Sequence, residues 1–397
     1  MATLNILSGI KIVSFTQFLL GPLGTQYLAD MGADVVTVEP PGSAYERNWA
    51  GNQCFLNDTS MFYLTTHRNT RNIVIDLKSQ KGREVALRLV KQADVVIQNA
   101  RPGVMDRLGL GYEDVQKINP NVIYLSASGF GNKELGRSLP GQDLLLQALT
   151  GLADITGKAQ DPPTPVGAAI IDVHGGLLLA FAVVSALFHR FRTGEGQHVQ
   201  INMLQAALDL QVEPVSLHLN GKTVHRNGDG LGSGYIQAPY GVYKTADKYV
   251  VLSSSPIQVY YNALQDERLV PYLDPHAAWI HKKEIRKIFE DIMITKTAAE
   301  WVEIMSSKGV WMRPVCTYEE CFEEPVVQEI NPVMTVHHPV AGDVNLLKFP
   351  ISFGSGESEV RYFGPGIGEH TIEILGELGF SEDEIRAMQV DKAVVAG

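Results

Sequence analysis

The sequence predicts an α/β protein whose larger part is a doubly wound, Rossmann-like parallel sheet. Short β-branched runs alternate with helical patterns along the first half of the chain, as they do in parallel sheets with crossover helices. The composition, with 45% apolar and 19% charged residues, is that of an ordinary globular protein. A chain of 397 residues can form two cores, because single cores stop growing at about 250–300 residues. We therefore expect a second, smaller α+β domain.

The predicted elements follow one another regularly until about residue 219. Strands are predicted at 10–15, 34–38, 72–77, 94–97, 122–126 and 197–202. Helices are predicted at 24–31 and 82–92, and another ends near residue 219. Further strands at 241–245 and 249–253 precede helices near 282–292 and 298–308. We divide the chain into a large domain (1–219), a small domain with linkers (220–325) and a C-terminal segment that returns to the large domain (326–397).

Charge and termini exclude several classes of protein. The net charge of −11 argues against a nucleic-acid partner, because proteins that bind nucleic acids usually carry a basic face that neutralises the phosphates. The N-terminus has no signal-peptide pattern, and the apolar helix predicted at 176–188 is too short to cross a bilayer, so we expect a cytoplasmic protein without a membrane partner. Cys54, Cys316 and Cys321 have no metal-ligand spacing, and we expect reduced thiols and no metal site.

The common cofactor motifs are missing. Gly21 and Gly24 follow the first strand, and Glu39 ends the second, which suggests a dinucleotide site. The third glycine of that fingerprint is absent, and Pro22 intervenes. Neither a phosphate-binding Gly-Lys-Ser/Thr loop nor a Gly-x-Ser-x-Gly elbow occurs. We therefore expect no tightly bound cofactor.

Asp172 lies between a strand-like apolar run (166–172) and a long apolar helix (173–188). Gly175 and Gly176 follow within one helical turn, and they leave room for another molecule to approach the carboxyl group. Such a carboxylate could act as a nucleophile. It could also be an N-cap that accepts a hydrogen bond from a backbone amide of the helix, which is the commoner role of an aspartate at such a position. The residues by themselves leave both interpretations open.

Several phrases of the sequence, taken together in their order and spacing, resemble one family. They lie at 15–22, 28–39, 69–78, 93–109, 128–131, 143–151, 171–176, 192–199 and 368–371. The chain resembles the class III coenzyme A transferases, the family of formyl-CoA and carnitine CoA-transferases, from about residue 8 to the C-terminus. The resemblance implies a CoA-transferase that acts on acyl-CoA and small or medium carboxylic acids.

The resemblance also implies a covalent mechanism on Asp172. The carboxylate would form an aspartyl-acyl anhydride and then a β-aspartyl-CoA thioester. With an ordinary aspartate pKa of about 3.9, Asp172 would already be ionised at neutral pH and would need no general base. Backbone amides at 173–176 are the candidates for stabilising the oxyanions that develop.

The resemblance places coenzyme A, as a substrate, on a defined set of residues. Those implied to bind it are Phe18, Leu19, Ile75, Asp76, Leu77, Lys78, Asn99, Ala100, Arg101 and Arg107. The two arginines are the best candidates for the phosphates, because guanidinium groups bind them in a bidentate manner. Gln142, Tyr235 and Gln237 are weaker candidates for substrate contacts. Pro40 and Pro140 stand where formyl-CoA transferase has basic residues, so details of its CoA site need not apply.

The family further implies an open-ring chain that forms an interlocked homodimer. The glycine-rich run 227–234 is either a mobile lid over the site or a plain linker. One alternative function is an α-methylacyl-CoA racemase, but Gln142 and Pro256 stand near the positions of its histidine and glutamate. His174 could replace that histidine, although we expect it to pack away from Asp172. A second alternative is a non-catalytic CoA-binding protein in which Asp172 is only a cap.

Overall fold

The computed structural model describes residues 2–226 and 232–397. Contacts divide the chain into two compact units: the first comprises residues up to 146, 169–210 and 332–397, and the second comprises 147–168 and 211–331. The sequence-based division lies at 219/220 and 325/326, and it has no counterpart for the excursion of 147–168 into the second unit.

The first part of the chain supplies most of the central sheet. Its strands are β1 (Lys11–Phe15), β2 (Asp34–Glu39), β3 (Phe55–Leu56), β4 (Thr59–Ser60), β5 (Thr70–Ile75), β6 (Val95–Gln98), β7 (Ile123–Ser128) and β8 (Gln197–Asn202). Its helices are α1 (Leu20–Asp30), α2 (Met61–Thr66), α3 (Gln80–Gln92), α4 (Val104–Arg107), α5 (Tyr112–Ile118), α6 (Asp143–Leu149), α7 (Leu152–Ile155), α8 (Ile170–Thr193) and α9 (Met203–Leu210). Two 3-10 turns, Tyr45–Arg47 and Gly51–Gln53, follow β2.

The second unit has its own small antiparallel sheet and its own core. Its elements include α10 (Val212–Leu219), β9 (Gly241–Lys244), β10 (Tyr249–Leu252), α11 (Ile257–Leu264), the 3-10 helix Glu267–Tyr272, α12 (Ala277–Ile280), α13 (Lys282–Met293), α14 (Ala298–Ser307), β11 (Met312–Pro314), α15 (Tyr318–Glu323) and α16 (Pro325–Ile330). The sheet order is β11-β10-β9. Buried Tyr260, Phe289 and Trp301 fill the core between this sheet and its helices.

The C-terminal segment belongs to the first unit. It contains β12 (Val333–His338), β13 (Gly342–Leu347), α17 (Thr371–Glu377), α18 (Glu382–Val390) and β14 (Val394–Val395). Arg71 on β5 forms ion pairs with Glu373 and Glu377 of α17 as well as with Asp34. These pairs and the pairing of β14 with β5 hold the end of the chain against the sheet.

The central sheet has the strand order β14-β5-β2-β1-β6-β7-β8, and all neighbours except β14 and β5 are parallel. Successive residues of a strand face opposite sides, so Val13 packs in a cluster with α3 and α17, whereas Ile12 packs in a cluster with α1 and α8. Helices therefore cover both faces, and the predicted parallel α/β sheet is confirmed.

Helix α8 corrects three expectations. Residues 166–169 form no strand, and the helix already begins at Ile170, so Asp172 lies inside its first turn and is not the N-cap. The helix has 24 residues, not the 13 expected from 176 to 188. An 18-residue stretch of it has a mean hydropathy of 2.0, so the helix is long and apolar enough to cross a membrane. One such helix is weak evidence for a membrane, since core helices share these properties, and α8 packs on α1, α9, β7 and β8.

The helix predicted to run to about residue 219 is also interrupted. Gln211 separates α9 from α10, and its backbone has φ −104° and ψ 29°, which is not helical. The division between the two compact units falls at this break.

Candidate active site

Asp172 is held at the start of α8 by a second acid, Asp143. The Oδ2 atom of Asp143 accepts hydrogen bonds from the backbone N–H groups of Ile171 (2.8 Å) and Asp172 (3.0 Å). The formal N-cap, Ala169, has no side chain that could do this. Asp143 therefore satisfies amides that the helix leaves free, and the Asp172 side chain does not cap its own helix.

This arrangement changes the protonation of Asp172. Burial, with the nearby negative charge of Asp143 adding to it, raises the pKa of Asp172 to about 7. The expectation of a fully ionised carboxylate at neutral pH is therefore wrong. The ionised form, which is the nucleophilic one, becomes the major species only as the pH rises through about 7.

The space beside the two glycines after Asp172 is filled by helix α1 and not by a ligand. A Cβ atom on Gly175 would collide with Leu20 Cδ1, and one on Gly176 would lie 3.0 Å from the carbonyl oxygen of Leu20. On the other side of the contact, a Cβ on Gly24 would lie 2.8 Å from the carbonyl oxygen of Gly176. The missing side chains thus let α1 and α8 approach closely, and they bring the start of α1 next to the turn that carries Asp172.

The amides proposed for oxyanion stabilisation are already hydrogen-bonded. Val173 N–H donates to the carbonyl oxygen of Ala169 at 3.1 Å. Residues 174–176 lie inside the regular helix, where each N–H donates four residues back. The helix starts earlier than the sequence suggests, so this oxyanion assignment is not supported.

The turn between β1 and α1 brings three of the predicted CoA residues together. Gln17 N–H donates to Asn99 Oδ1 (2.9 Å), and Asn99 Nδ2 donates to the carbonyl oxygen of Gln17 (2.8 Å). Phe18 follows with φ 65°, a left-handed conformation that is uncommon for a bulky residue, and its side chain is 47% exposed. Leu19 is the N-cap residue of α1. This turn lies at the carboxyl ends of β1 and β6, where ligands bind in open parallel sheets.

Arginine side chains add uncompensated positive charge near the same edge. Arg101 and Arg107 are exposed, and neither forms an ion pair within residues 2–226 and 232–397. The guanidinium of Arg137 lies beside that of Arg107, since a Cβ on Gly103 would be 2.8 Å from Arg137 Nη2 and 3.4 Å from Arg107 Nη1. Sequence reasoning missed Arg137, because it lies in an irregular segment about 30 residues further along. Adjacent guanidinium groups that form no ion pair among the described residues suit a phosphate group.

The four residues 75–78, which are predicted to bind coenzyme A, differ in their exposure to solvent. Ile75 is 1% exposed within β5, so its side chain belongs to the core. The side chain of Asp76 is engaged locally, because its Oδ1 atom accepts a hydrogen bond from the backbone N–H of Lys78 at 3.0 Å. Leu77 is half-buried and Lys78 is exposed, as a contact with a nucleotide would require. Ala100, also half-buried, donates its N–H to Gln98 Oε1 at 2.8 Å.

The weaker substrate candidates are placed in different parts of the chain. Gln142 is exposed and directly precedes Asp143 in the first unit. Tyr235 and Gln237 are half-buried in the second unit, where Gln237 lines a small cavity with Lys282 and Arg286. Most of the glycine-rich run, residues 227–231, lies outside the described residues, so its role as lid or linker stays a prediction.

His174 is engaged elsewhere, as expected. Its Nε2 atom lies 2.9 Å from Oδ2 of Asp209 on α9, and no contact with Asp172 is recorded among the described residues. Asp143, in contrast, was not predicted as a functional residue. No local signal could reveal its role, because it is 29 residues from Asp172 in the sequence.

Comparisons with known proteins identify the family of this chain. The model of CoA-transferase family III matches residues 7–371. The mouse succinyl-CoA:glutarate CoA-transferase is 30% identical over 94% of this chain and 86% of that protein. The acetyl-CoA:oxalate CoA-transferase of Acetobacter aceti is 33% identical over 80% of this chain and 82% of that protein. The crystal structure of Rv3272 from Mycobacterium tuberculosis superposes with a TM-score of 0.82 at 28% identity, covering 94% of this chain and all (100%) of that one.

Proposed function

Because this chain belongs to CoA-transferase family III, we propose that it moves coenzyme A from an acyl-CoA thioester to a free carboxylic acid through covalent intermediates on Asp172. The observation that carries the proposal is the position of Asp172, whose partly buried carboxyl group lies in the first helical turn against the start of α1. A carboxylate in such an environment is less solvated and is therefore a better nucleophile than a surface aspartate.

The proposed reaction conserves the thioester energy in four steps. The Asp172 carboxylate attacks the donor thioester carbonyl, the C–S bond breaks, and an aspartyl-acyl anhydride and CoA thiolate result. The thiolate attacks the Asp172 carbonyl carbon, and the donor acid departs as a carboxylate. Asp172 is then a β-aspartyl-CoA thioester. The acceptor carboxylate attacks that thioester. This step releases the CoA thiolate again and forms a second anhydride, between Asp172 and the acceptor acid. The thiolate then takes the acceptor acyl group, and Asp172 becomes a free carboxylate again.

The nucleotide end of coenzyme A would bind at the carboxyl edge of the sheet. The exposed guanidinium groups of Arg101, Arg107 and Arg137 suit its phosphates, and they would offset the repulsion expected from a chain of net charge −11. Phe18, Leu19 and Lys78 offer an apolar surface and a further cation beside them. Coenzyme A enters and leaves as a substrate in this scheme.

We propose a small dicarboxylic acid as the acceptor. The two relatives described above carry glutarate and oxalate in their names, and both are dicarboxylates. A carboxylate acceptor needs no activation beyond its own charge, because it attacks the β-aspartyl thioester directly.

We also propose a homodimer in the cytoplasm, with the interlocked arrangement that the family resemblance implies. An apolar stripe runs along the exposed side of α8 at helical spacing: Val173, Leu177, Phe181, Val184, Phe188 and Phe191. Phe181 is 68% exposed and Phe191 is 89% exposed in the single chain. A contiguous apolar face of this kind is unfavourable in water, and a second copy of the chain would cover it.

The test compares Asp172→Ala with a matched control, Asp209→Ala, on the neighbouring helix. Asp209 is exposed and contacts only His174 among the interactions described, so its loss should leave transfer intact. Each protein is incubated with succinyl-CoA and other acyl-CoA thioesters and then treated with hydroxylamine. We expect a hydroxamate at residue 172 in the wild type and control, and a fall in transfer of at least about a thousandfold in Asp172→Ala.

The same experiment addresses the alternatives. Full transfer by Asp172→Ala would contradict the covalent proposal. A racemase would instead incorporate solvent deuterium at the α-carbon of a branched acyl-CoA. The names of the relatives do not favour that activity, and the imidazole of His174 is engaged by Asp209.

A further inference from the structure

A buried acid and a buried imidazole face each other in the first unit, away from Asp172. Glu46, in the 3-10 turn Tyr45–Arg47, and His67, which ends α2, are each 1% exposed. Glu46 Oε1 and His67 Nε2 are 4.0 Å apart. Glu46 Oε2 and His67 Nε2 are also two of the few buried side-chain atoms, among the described residues, that have no hydrogen-bond partner. Such atoms are costly unless a proton or a small shift can pair them.

The other ring nitrogen fixes what Nε2 can do. His67 Nδ1 lies 3.1 Å from the carbonyl oxygen of Tyr63, which can only accept, and 2.9 Å from Thr66 Oγ1. The Thr66 hydroxyl donates its own hydrogen to the carbonyl oxygen of Phe62 at 3.2 Å and can accept from Nδ1, so we assign the ring hydrogen to Nδ1. Nε2 is then a bare acceptor. Burial lowers the pKa of His67 to about 4, so the ring stays neutral at physiological pH. Only a protonated Glu46 can donate a hydrogen bond to this atom.

The surrounding charges leave Glu46 without a cation of its own. Arg47 donates to both oxygens of Glu39 at 2.8 Å and also to Tyr63 Oη and the carbonyl oxygen of Pro365. Glu39, which faces the same region, repels a negative charge on Glu46. The groups around Glu46 are therefore one acid, one engaged arginine, a phenol and a neutral imidazole.

The Glu46 carboxyl group also faces the predicted nucleotide turn. The backbone N–H groups of Glu46 itself and of Phe18 face this carboxyl group and lower its pKa, against the effect of burial. Phe18 has a positive φ of 65°, which for a bulky residue persists only when neighbouring contacts enforce it. Its ring lies 5.1 Å from that of Tyr45, next to Glu46 in the chain. Asn99 clamps the preceding residue, Gln17, from the other side.

We propose that Glu46 is a positioning residue for the coenzyme A site, and that its ionised carboxylate holds the Phe18 turn whereas its protonated form turns to His67. The proposal rests on the proposed function, since it assumes that Phe18 borders the bound nucleotide. A carboxylate accepts an N–H more strongly than a neutral acid does, so the Phe18 turn is firmer in the ionised state. Affinity for coenzyme A should then depend on the protonation of Glu46.

The direction of the effect follows from the environment. Burial, with the charge of Glu39 adding to it, raises the pKa of Glu46 to about 7. Both protonation states are therefore populated near neutral pH. The ionised state dominates above pH 7, so coenzyme A should bind more tightly at pH 8 than at pH 6.

The experiment measures binding of free coenzyme A by calorimetry at pH 6 and pH 8 for the wild type, Glu46→Gln and the control Glu84→Gln. The glutamine keeps an oxygen for Phe18 and an N–H for His67, but it cannot titrate. We expect the dissociation constant to fall about fivefold more between pH 6 and 8 in the wild type and Glu84→Gln than in Glu46→Gln. The ratio between proteins cancels the titration of coenzyme A itself.

A second variant guards against a folding defect in the first. His67→Phe keeps a ring against Tyr63, whose centroid lies 4.1 Å from that of His67, but it removes the acceptor for a protonated Glu46. The ionised form is then favoured, and the pH at which affinity improves should fall. The same pH dependence in all four proteins would overturn the role of Glu46 and leave the CoA-transferase proposal standing. No binding of coenzyme A by the wild type at either pH would overturn both.

Discussion

Asp172 and Glu46 are two carboxyl groups of the same unit whose pKa values burial raises to about 7, and they differ in what surrounds them. Asp172 is only partly buried and stands beside another acid, Asp143, at the open start of a helix. Glu46 is almost fully buried and faces a neutral imidazole. A raised pKa therefore does not by itself identify a catalytic group. A carboxyl group that substrate can reach can react with it, whereas a fully buried one can only position other residues.

The first unit also contains a third kind of buried acid. Asp30 is held by Arg68 through several hydrogen bonds of 2.6 to 3.0 Å and by Asn69 at 2.8 Å. Burial raises its pKa, but both partners oppose the rise. Asp30 therefore belongs to a satisfied ion pair, whereas neither Asp172 nor Glu46 forms an ion pair with a lysine or arginine within residues 2–226 and 232–397. This difference separates the two acids for which we propose functions from Asp30.

The largest expected effect that separates Asp172 from Glu46 is the pH dependence of kcat. Since only the ionised carboxylate attacks, kcat should fall about tenfold per pH unit below pH 7 and level off above it. The measurement is steady-state transfer at saturating substrates from pH 5.5 to pH 9. Glu46→Gln should keep this profile, because Glu46 acts on binding. A flat wild-type profile down to pH 5.5 would contradict the assignment of the pKa near 7 to Asp172.

A smaller effect tests the contact between α1 and α8 that brings the start of α1 next to Asp172. Gly24→Ala places a methyl group 2.8 Å from the carbonyl oxygen of Gly176, a backbone atom that cannot move aside easily. We expect a loss of about 1–3 kcal/mol in the free energy of unfolding, measured by denaturant titration. Gly376→Ala in α17 is the matched control, because nothing lies within 4 Å of the added Cβ. The control should be neutral or slightly stabilising, and equal losses in both variants would contradict the close packing of α1 on α8.

The smallest effect concerns the neighbour of Asp172. Asp143→Asn removes a negative charge but keeps an oxygen that can accept an N–H from the start of α8. The pKa of Asp172 should fall, so kcat at pH 6 should rise about threefold while kcat at pH 8 stays unchanged. A pH profile identical to that of the wild type would show that burial alone sets the pKa of Asp172.

Regular elements with strong local patterns could be predicted well. The strands of the parallel sheet contain short runs or alternations of β-branched and other apolar residues, and their predicted positions agree with β1, β2, β5, β6, β7 and β8 within two residues at either end. The first turn of α8 could not be predicted. The run 166–172 is apolar, as a buried strand would be, but the acid that accepts the amides of Ile171 and Asp172, Asp143, comes from another segment.

Only part of the candidate site could be predicted from the sequence, again because some of its contacts join segments that are far apart in the chain. The type and position of Asp172, the turn at Phe18 and the two arginines stand in local motifs that the sequence displays. Arg137 joins Arg107, and His67 meets Glu46, only because the chain folds back between them. The two glycines were seen but were assigned to a ligand, since no sequence pattern shows which helix will fill the space.

The sequence by itself determined the α/β class, the membership of CoA-transferase family III and the carboxylate at residue 172, because β-branched runs and family motifs are read from neighbouring residues. Only the tertiary structure decided the protonation of that carboxylate, the capping by Asp143 and the pairing of Glu46 with His67. Solvation and charge depend on atoms that are close in space, and the chain brings them together from positions that are far apart in sequence.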